Sequence, residues 1–228
     1  MREKIIYGLG VIAAVLLARN LYSIFMQLPD EASQGMIYRI IFFHVPAAIT
    51  AMLCSAVACV ASVMFLVTRN FKHDAIAVAT TEVGLAFLAA NLVTGSIWGR
   101  PAWGVWWTWD ARLTTTLMLW LIYVSYLLLR RFAAGPQMQT LAAVLAVFGA
   151  LDMPFNYLAN RLWRTQHPSP VFFAGDNGSM ESHMLAAFGW NVLAWAVWGL
   201  SVLAVRVYVE RRQQAISMAE AAAALAGV

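Results

Sequence analysis

The sequence predicts an all-α integral membrane protein with six transmembrane helices and a tryptophan-rich loop on its outer side. Of its 228 residues, 62% are hydrophobic and 11% are charged. The mean hydropathy of +0.70 lies outside the range of soluble domains. The apolar residues form six runs that are each long enough to cross a bilayer as a helix. Half of the ten tryptophans lie within one stretch of the chain, residues 98–112.

The six predicted spans are the apolar runs at residues 5–27, 42–67, 75–97, 113–129, 138–159 and 183–207. We expect helices there because lipid leaves no other way to pair the backbone groups. No internal repeat and no appended soluble stretch is visible, so we expect one membrane domain over residues 1–228. The first run lacks a small-x-small cleavage site, which favours a retained span over a signal peptide.

Basic residues in the connecting segments predict the orientation. Nine fall on one side, namely Arg2, Lys4, Arg69, Lys72, Arg130, Arg131, Arg206, Arg211 and Arg212. The other side carries five, namely Arg39, Arg100, Arg112, Arg161 and Arg164. The richer side should be cytoplasmic, which places both termini inside and residues 98–112 outside. The net charge of +4 comes mostly from these short loops and gives no reason to expect nucleic-acid binding.

The sequence indicates neither cysteine-based redox or haem-attachment chemistry nor nucleotide binding. Cys54 and Cys59 lie five residues apart within an apolar run, which matches neither a redox pair nor a haem-attachment motif. We interpret both as small core residues. No phosphate-binding glycine loop followed by Lys-Ser/Thr occurs, so any nucleotide-driven step belongs to another subunit.

Residues 98–112, the tryptophan-rich segment, contain helix-interrupting residues in their first half. Gly99, Pro101 and Gly104 predict a loop there. A short amphipathic segment should follow, on which three side chains share one face, those of Trp103, Trp106 and Trp107. Asp110 should cap the fourth helix and could also hold Arg112 in place.

Two explanations fit the concentration of tryptophans. An aromatic belt is common where membrane helices meet the headgroups. A belt, however, scatters aromatic residues over many helix ends, whereas this segment gathers five tryptophans beside Arg100 and Arg112. We therefore favour an apolar platform for a large planar ligand, with guanidinium groups available for its carboxylates. Haem fits that description.

Three of the four histidines fall on the predicted outer side. They are His44 at the start of the second span, His167 and His183, whereas His73 lies in an inner loop. Histidine is a common axial ligand of haem iron. A single interfacial histidine is more often a polar end-group, but three beside one tryptophan cluster favour ligation.

The choice between His167 and His183 is less clear. His183 follows Glu181 at a helix start, where a capping or pairing role explains it without a metal. His167 lies in a loop beside Trp163 and Arg164, a better position for closing over a ligand. We favour His44 with His167.

Other polar residues in or next to the spans have structural interpretations. Glu82 and Asp152 are intramembrane carboxylates, and we expect structural pairing for both rather than a proton relay. Pro154 predicts a kink or break in the fifth span. A turn should form at residues 176–178, and Ser179 with Ser182 should cap the sixth span.

Two stretches resemble a known family. Trp98-Gly-x-Pro-x-Trp-Gly-x-Trp-Trp-x-Trp-Asp-Ala-Arg112-Leu-Thr resembles the "WWD" signature of haem-handling membrane proteins of cytochrome c maturation. Tyr38-Arg-Ile-Ile-Phe-Phe-His44-Val-Pro-Ala-Ala48 resembles the segment of the haem exporter protein C (CcmC) family that carries its first periplasmic histidine. The resemblance covers nearly the whole chain.

The resemblance implies a multi-pass protein of the bacterial inner membrane that holds haem b at its periplasmic face and is not itself an enzyme. His44 and His167 match the two haem-ligand histidines, and the haem-binding signature is matched by Trp98, Trp103, Trp106, Trp107, Trp109 and Asp110. The implied partners are the haem chaperone CcmE, the ABC-type subunits CcmA and CcmB, and the small subunit CcmD. His183 has no counterpart.

Three other functions compete with this interpretation. A cytochrome c haem lyase or synthetase subunit shares the signature but has more spans and a further histidine pair within the membrane. An ABC-transporter membrane subunit that binds no haem would not need the outer histidines. A transporter that moves haem through its own bundle needs a polar path, which the spans lack. The resemblance does not say which arginines hold the haem propionates. Their positive charge and their position on the predicted outer side suggest that some of four arginines do so, namely Arg100, Arg112, Arg161 and Arg164.

Overall fold

The computed structural model describes residues 2–133, 135, 137–168, 180 and 182–227. These residues form six long helices: α1 (Arg2–Tyr22), α2 (Ile41–Thr68), α3 (Phe71–Trp103), α4 (Ala111–Phe132), α5 (Met138–Leu162) and α6 (Ser182–Ala226). A π-helical turn, Ser23–Gln27, prolongs α1, and a 3-10 helix, Met36–Ile40, leads into α2. All six long helices are apolar enough to cross a membrane, which confirms the predicted fold class.

Helices α2 and α3 form the centre of the bundle and pack against each other most extensively. Helix α5 packs against both α2 and α4, while α6 packs against both α3 and α1. Small side chains at these contacts let the helix backbones approach closely. The main core cluster draws on four helices and comprises Ala47, Ala51, Cys54, Val83, Phe87, Leu88, Leu119, Tyr123 and Trp195. Cys54 is buried there as a free thiol, in agreement with its predicted role.

Helix α3 continues further than predicted, through Gly99 and Pro101 to Trp103. Proline in the last turn removes only one backbone hydrogen bond, which a helix end tolerates. The helix stops at Gly104, whose φ of +79° suits glycine and whose N–H donates to the Arg100 carbonyl at 3.0 Å. Residues 104–110 are not helical. The predicted loop over residues 98–103 and the amphipathic segment after it are therefore both wrong.

Three further predictions concern polar residues and Pro154. Glu82 accepts from Arg206, with Nη2 to Oε1 at 2.9 Å, which confirms structural pairing for this carboxylate. Oδ2 of Asp152 is buried and has no hydrogen-bond partner in the described part of the chain, so the expected pairing is absent there. Helix α5 runs through Pro154 to Leu162. Of the predicted kink or break, the break therefore does not occur. The turn at 176–178, Ser179, and the side chain of Ser182 lie outside the described residues.

The two ends of the bundle differ in their polar groups. The end of the bundle at which α3 ends and α4 begins is called the upper end, and the opposite end is called the lower end. At the lower end, Asp74 of α3 is 2% exposed and accepts from Arg130 of α4 through both carboxylate oxygens, at 2.7 and 3.0 Å. Gln214 of α6 donates to the same carboxylate at 2.9 Å. This network joins three helices at one point.

The segment between α1 and α2 is anchored at the upper end by a buried arginine. Arg39 donates to the carbonyls of Ile24 at 2.9 Å and Leu28 at 2.7 Å, and it pairs with Asp30. These bonds satisfy carbonyls that the end of a helix leaves without intrahelical partners. The segment therefore has a defined path beside the tryptophan-rich segment.

Candidate functional site

His44 and His167 face each other at the upper end. Their ring centroids are 6.1 Å apart and their planes are tilted by 32°. A metal ion bound between two imidazoles would separate the ring centres by about 6 Å, because each metal–nitrogen bond is about 2 Å long and each coordinating nitrogen lies about 1 Å from its ring centre. The spacing of this pair therefore fits a metal held from opposite sides. The sequence predicted this pair, and the structure brings the two rings together.

His44 lies in the first turn of α2 and contacts α3. Its Nδ1 is 3.0 Å from the Asn91 carbonyl oxygen and 3.1 Å from Thr94 Oγ1. The Asn91 side-chain amide lies 3.2 and 3.3 Å from the two ring nitrogens and donates to the His44 carbonyl at 3.1 Å. Gly95 leaves room for the ring, because a Cβ there would lie 3.0 Å from His44 Cε1.

His167 lies in the segment that follows α5, residues 163–168. Asn160 at the end of α5 donates to the carbonyls of His167 at 3.0 Å and Pro168 at 2.8 Å. The imidazole Nδ1 donates to the Pro168 carbonyl at 2.8 Å. The pKa of His167 is lowered from its usual 6.5 to about 4, because burial disfavours the cation and the Arg112 guanidinium repels it. The ring is therefore neutral at pH 7, as metal ligation requires.

The start of α4 links the tryptophan-rich segment to this loop. Asp110 Oδ1 accepts from the Leu113 N–H at 3.0 Å, which confirms its predicted capping role. Its Oδ2 accepts from the Gln166 N–H at 3.3 Å. Arg112 donates to Asn160 Oδ1 at 3.1 Å, so a side chain from α5 holds its guanidinium.

The five tryptophans of residues 98–112 are arranged largely as edge-to-face pairs. Trp98 and Trp103 have ring centroids 5.1 Å apart at 80°, and Trp107 and Trp109 have centroids 5.8 Å apart at 77°. Trp98 also donates to Gln34 Oε1 at 2.9 Å. Trp106 and Trp109 are 59% and 77% exposed, which leaves a large apolar surface at the upper end.

Polar groups beside the tryptophans differ in what they contact. Arg100 donates to the Gly104 carbonyl and thus closes the end of α3, whereas Arg112 lies close to His167. Trp107 Nε1 and Thr108 Oγ1 are buried and have no hydrogen-bond partner in the described ranges. Arg161 and Arg164 are exposed at the end of α5 and just beyond it.

The remaining histidines have separate positions. His73 lies at the lower end, where its Nδ1 is 3.0 Å from Thr68 Oγ1, so the bundle separates it from the other two, as predicted. His183 is in the first turn of α6, and its side chain, like Glu181 before it, lies outside the described residues.

Sequence reasoning missed the residues that hold the two histidines. Asn91 and Thr94, which contact the His44 ring, precede the tryptophan-rich segment on α3, and Asn160, which contacts the His167 backbone, lies in the last turn of α5. One signal in the sequence could have identified them. A polar side chain within a membrane span is energetically unfavourable, so it usually has a specific partner. Pattern alone gave no indication of which group each one contacts.

Comparisons with known proteins identify the family to which this chain belongs. The family model "CcmC: Heme exporter protein C" matches residues 1–223. "Heme exporter protein C" of Bradyrhizobium diazoefficiens is 36% identical over 187 residues, which cover 81% of this chain and 71% of that protein. The Escherichia coli K12 protein of the same name is 32% identical over 198 residues, covering 84% and 76%. From these matches, with which the six apolar helices agree, we conclude that the chain belongs to the heme exporter protein C family of cytochrome c maturation.

Proposed function

We propose that this protein binds haem b at the outer face of the bacterial inner membrane, through His44 and His167, and loads it onto the haem chaperone CcmE. The observation that carries this proposal is the 6.1 Å separation of the two facing rings. Imidazole is a usual axial ligand of haem iron. The family name of the relatives, heme exporter protein C, supports haem as the cargo.

The side of the membrane follows from the charges at the two ends. The lower end carries most of the loop lysines and arginines, including Arg130 and Arg131 at the end of α4. The positive-inside rule places that end in the cytoplasm. Both termini are then cytoplasmic, and the upper end with its two histidines faces the periplasm.

The surface around the histidines suits a large planar ligand. Trp106 and Trp109 offer exposed aromatic faces on which an apolar ring can pack, with the other tryptophans of the segment supporting them. Since these two rings reach into solvent, one edge of a bound haem stays accessible to CcmE. In this proposal CcmA, CcmB and CcmD form the surrounding complex and supply the nucleotide-driven step.

Arg112 is the arginine we assign to a haem propionate. It lies next to His167, and the unpartnered donors Trp107 Nε1 and Thr108 Oγ1 are on the same segment. Arg100 and Arg112 each donate one hydrogen bond within the protein, to the Gly104 carbonyl and to Asn160, so the proximity of Arg112 to His167 is what distinguishes them. We therefore expect a division of roles between the two arginines.

Arg112→Gln should weaken haem binding by about 10- to 100-fold, because a hydrogen bond to a charged group contributes about 1.5–3 kcal/mol. Arg100→Gln is the matched control and should change affinity by less than about threefold. Titration of each purified variant with haem, followed by absorbance, measures both. Equal losses in the two variants would show that propionate binding does not depend on Arg112 in particular.

The proposed function is tested with the wild-type protein, co-expressed with CcmA, CcmB and CcmD and purified in detergent. We expect a Soret band with the spectrum of low-spin, bis-histidine haem. Mixing with purified CcmE should transfer that haem, which can be followed after the two proteins are separated. A wild-type protein that carries no haem even from this complex would contradict the proposal and favour a structural subunit.

A further inference from the structure

We infer that Asn91, Thr94 and Asn191 are positioning residues that fix the tautomer and the backbone of His44, so that its Nε2 is the iron-binding atom. This inference rests on the proposed function for the role of His44 as a ligand. We call these three residues the His44 clamp. Each contacts either the His44 ring or the helix turn that carries it.

The tautomer follows from the acceptors around Nδ1. The Asn91 carbonyl oxygen, 3.0 Å away, can only accept a hydrogen bond, which favours an Nδ1 that carries the proton and donates it. The Asn91 side-chain amide is a donor, but it lies almost equally far from Nδ1 and Nε2, at 3.2 and 3.3 Å, and so does not select the other tautomer. The Thr94 hydroxyl donates to the Ala90 carbonyl at 2.7 Å and can therefore accept from Nδ1 at 3.1 Å. With Nδ1 protonated, the neutral ring has its lone pair on Nε2. Metal-binding histidines commonly have their second nitrogen held in this way.

The backbone of the same turn is held from two helices. Pro46 has no N–H, so the Phe42 carbonyl lacks its partner within α2. Asn191 of α6 donates its side-chain amide to that carbonyl. Asn91 of α3 donates to the His44 carbonyl at 3.1 Å. Both asparagines are buried, with 2% and 7% of their surface exposed, where an unpaired amide would be costly.

The clamp thus acts on the ring from α3 and on the backbone from both α3 and α6. Helix α3 orients the ring and leaves space for it at Gly95, while α6 replaces the hydrogen bond that Pro46 removes. His44 therefore reaches the site with a fixed rotamer and tautomer. Changes to partners of this kind typically cost 10- to 100-fold in metal affinity.

The first test needs no haem. Histidine labelled with ¹⁵N is incorporated into the protein, and the His44 signals are identified by their loss in His44→Gln. We expect the nitrogen shifts of a ring protonated at Nδ1. A ring protonated at Nε2 in the wild type would overturn the inference, whatever the outcome for haem.

The second test is a double-mutant cycle on haem affinity. Thr94→Val and Asn191→Ala should each weaken binding by about tenfold, and Thr94→Ser, which keeps the hydroxyl, should restore it. These losses should persist in a His167→Ala background and disappear in a His44→Ala background, because the clamp acts through His44. Equal losses in both backgrounds would overturn the inference by showing a general structural effect.

Asn20→Ala is the matched control, because the buried Asn20 amide donates to the Trp190 carbonyl at 2.9 Å, one residue before Asn191. It should leave affinity within about twofold of the wild type. If His44→Ala itself leaves affinity unchanged, the proposed ligand is wrong and the inference fails with it. If His44→Ala weakens binding but the clamp variants do not, the inference alone fails.

Discussion

Replacing both His44 and His167 with alanine should lower haem affinity by more than about 100-fold. Substitution of a residue that only hydrogen-bonds to a metal-binding histidine already lowers metal affinity by about 10- to 100-fold, and loss of the histidines themselves should have a larger effect. The rings lie 6.1 Å apart, so both can bind one iron. Each single variant should keep one ligand and give a five-coordinate, high-spin spectrum. The haem content after purification and the absorption and electron paramagnetic resonance spectra distinguish these states.

His73→Ala is the control for this experiment. His73 lies at the lower end beside Thr68 and should retain the full wild-type spectrum. His183→Ala tests the alternative ligand that the sequence left open and should also retain it. A bis-histidine spectrum that survives His167→Ala and is lost in His183→Ala would assign the second ligand to His183 instead.

Asp74→Ala should cause the largest loss of stability, about 3–5 kcal/mol, because it leaves the buried Arg130 guanidinium without its counter-ion. Asp74 accepts two hydrogen bonds from Arg130 and one from Gln214, and therefore joins α3, α4 and α6. Thermal unfolding of the detergent-purified variant, compared with the wild type, measures the loss.

The double variant Asp74→Leu with Arg130→Met serves as the control for charge. It removes both ionic groups and keeps apolar volume, so it should recover most of the lost stability. A double variant that is as unstable as Asp74→Ala would show that hydrogen-bond geometry, rather than an unpaired charge, dominates. Haem affinity of the folded protein should not change, since the pair lies at the end opposite His44.

The number of helices was predictable because hydropathy and length alone define a membrane span. The extent of α3 was not, since Gly99 and Pro101 are strong helix interrupters by local rules. A Cβ at residue 99 would lie 3.3 Å from the Trp103 ring, so glycine here provides room for a side chain one turn later. Tertiary packing thus overrides the local preference.

The candidate site was predictable in part. The predicted topology and the family resemblance both assign His44 and His167 to the same end of the bundle. Their supporting residues, Asn91, Thr94 and Asn160, are isolated polar positions without a periodic pattern, so only three-dimensional neighbours reveal their roles. Asp152 shows the reverse case, because its position within a membrane span predicted a partner that the described residues do not supply.

The length of α3 determines the depth of the site relative to the lipid. Its 33 residues span about 50 Å at about 1.5 Å per residue. The hydrocarbon layer is about 30 Å thick, and a tilt of about 20° shortens the helix projection only slightly. The continuation of α3 to Trp103 therefore makes the helix longer than the hydrocarbon layer is thick, and tryptophans at its upper end are compatible with the headgroup level. A water-soluble acceptor domain can reach that level without entering the bilayer.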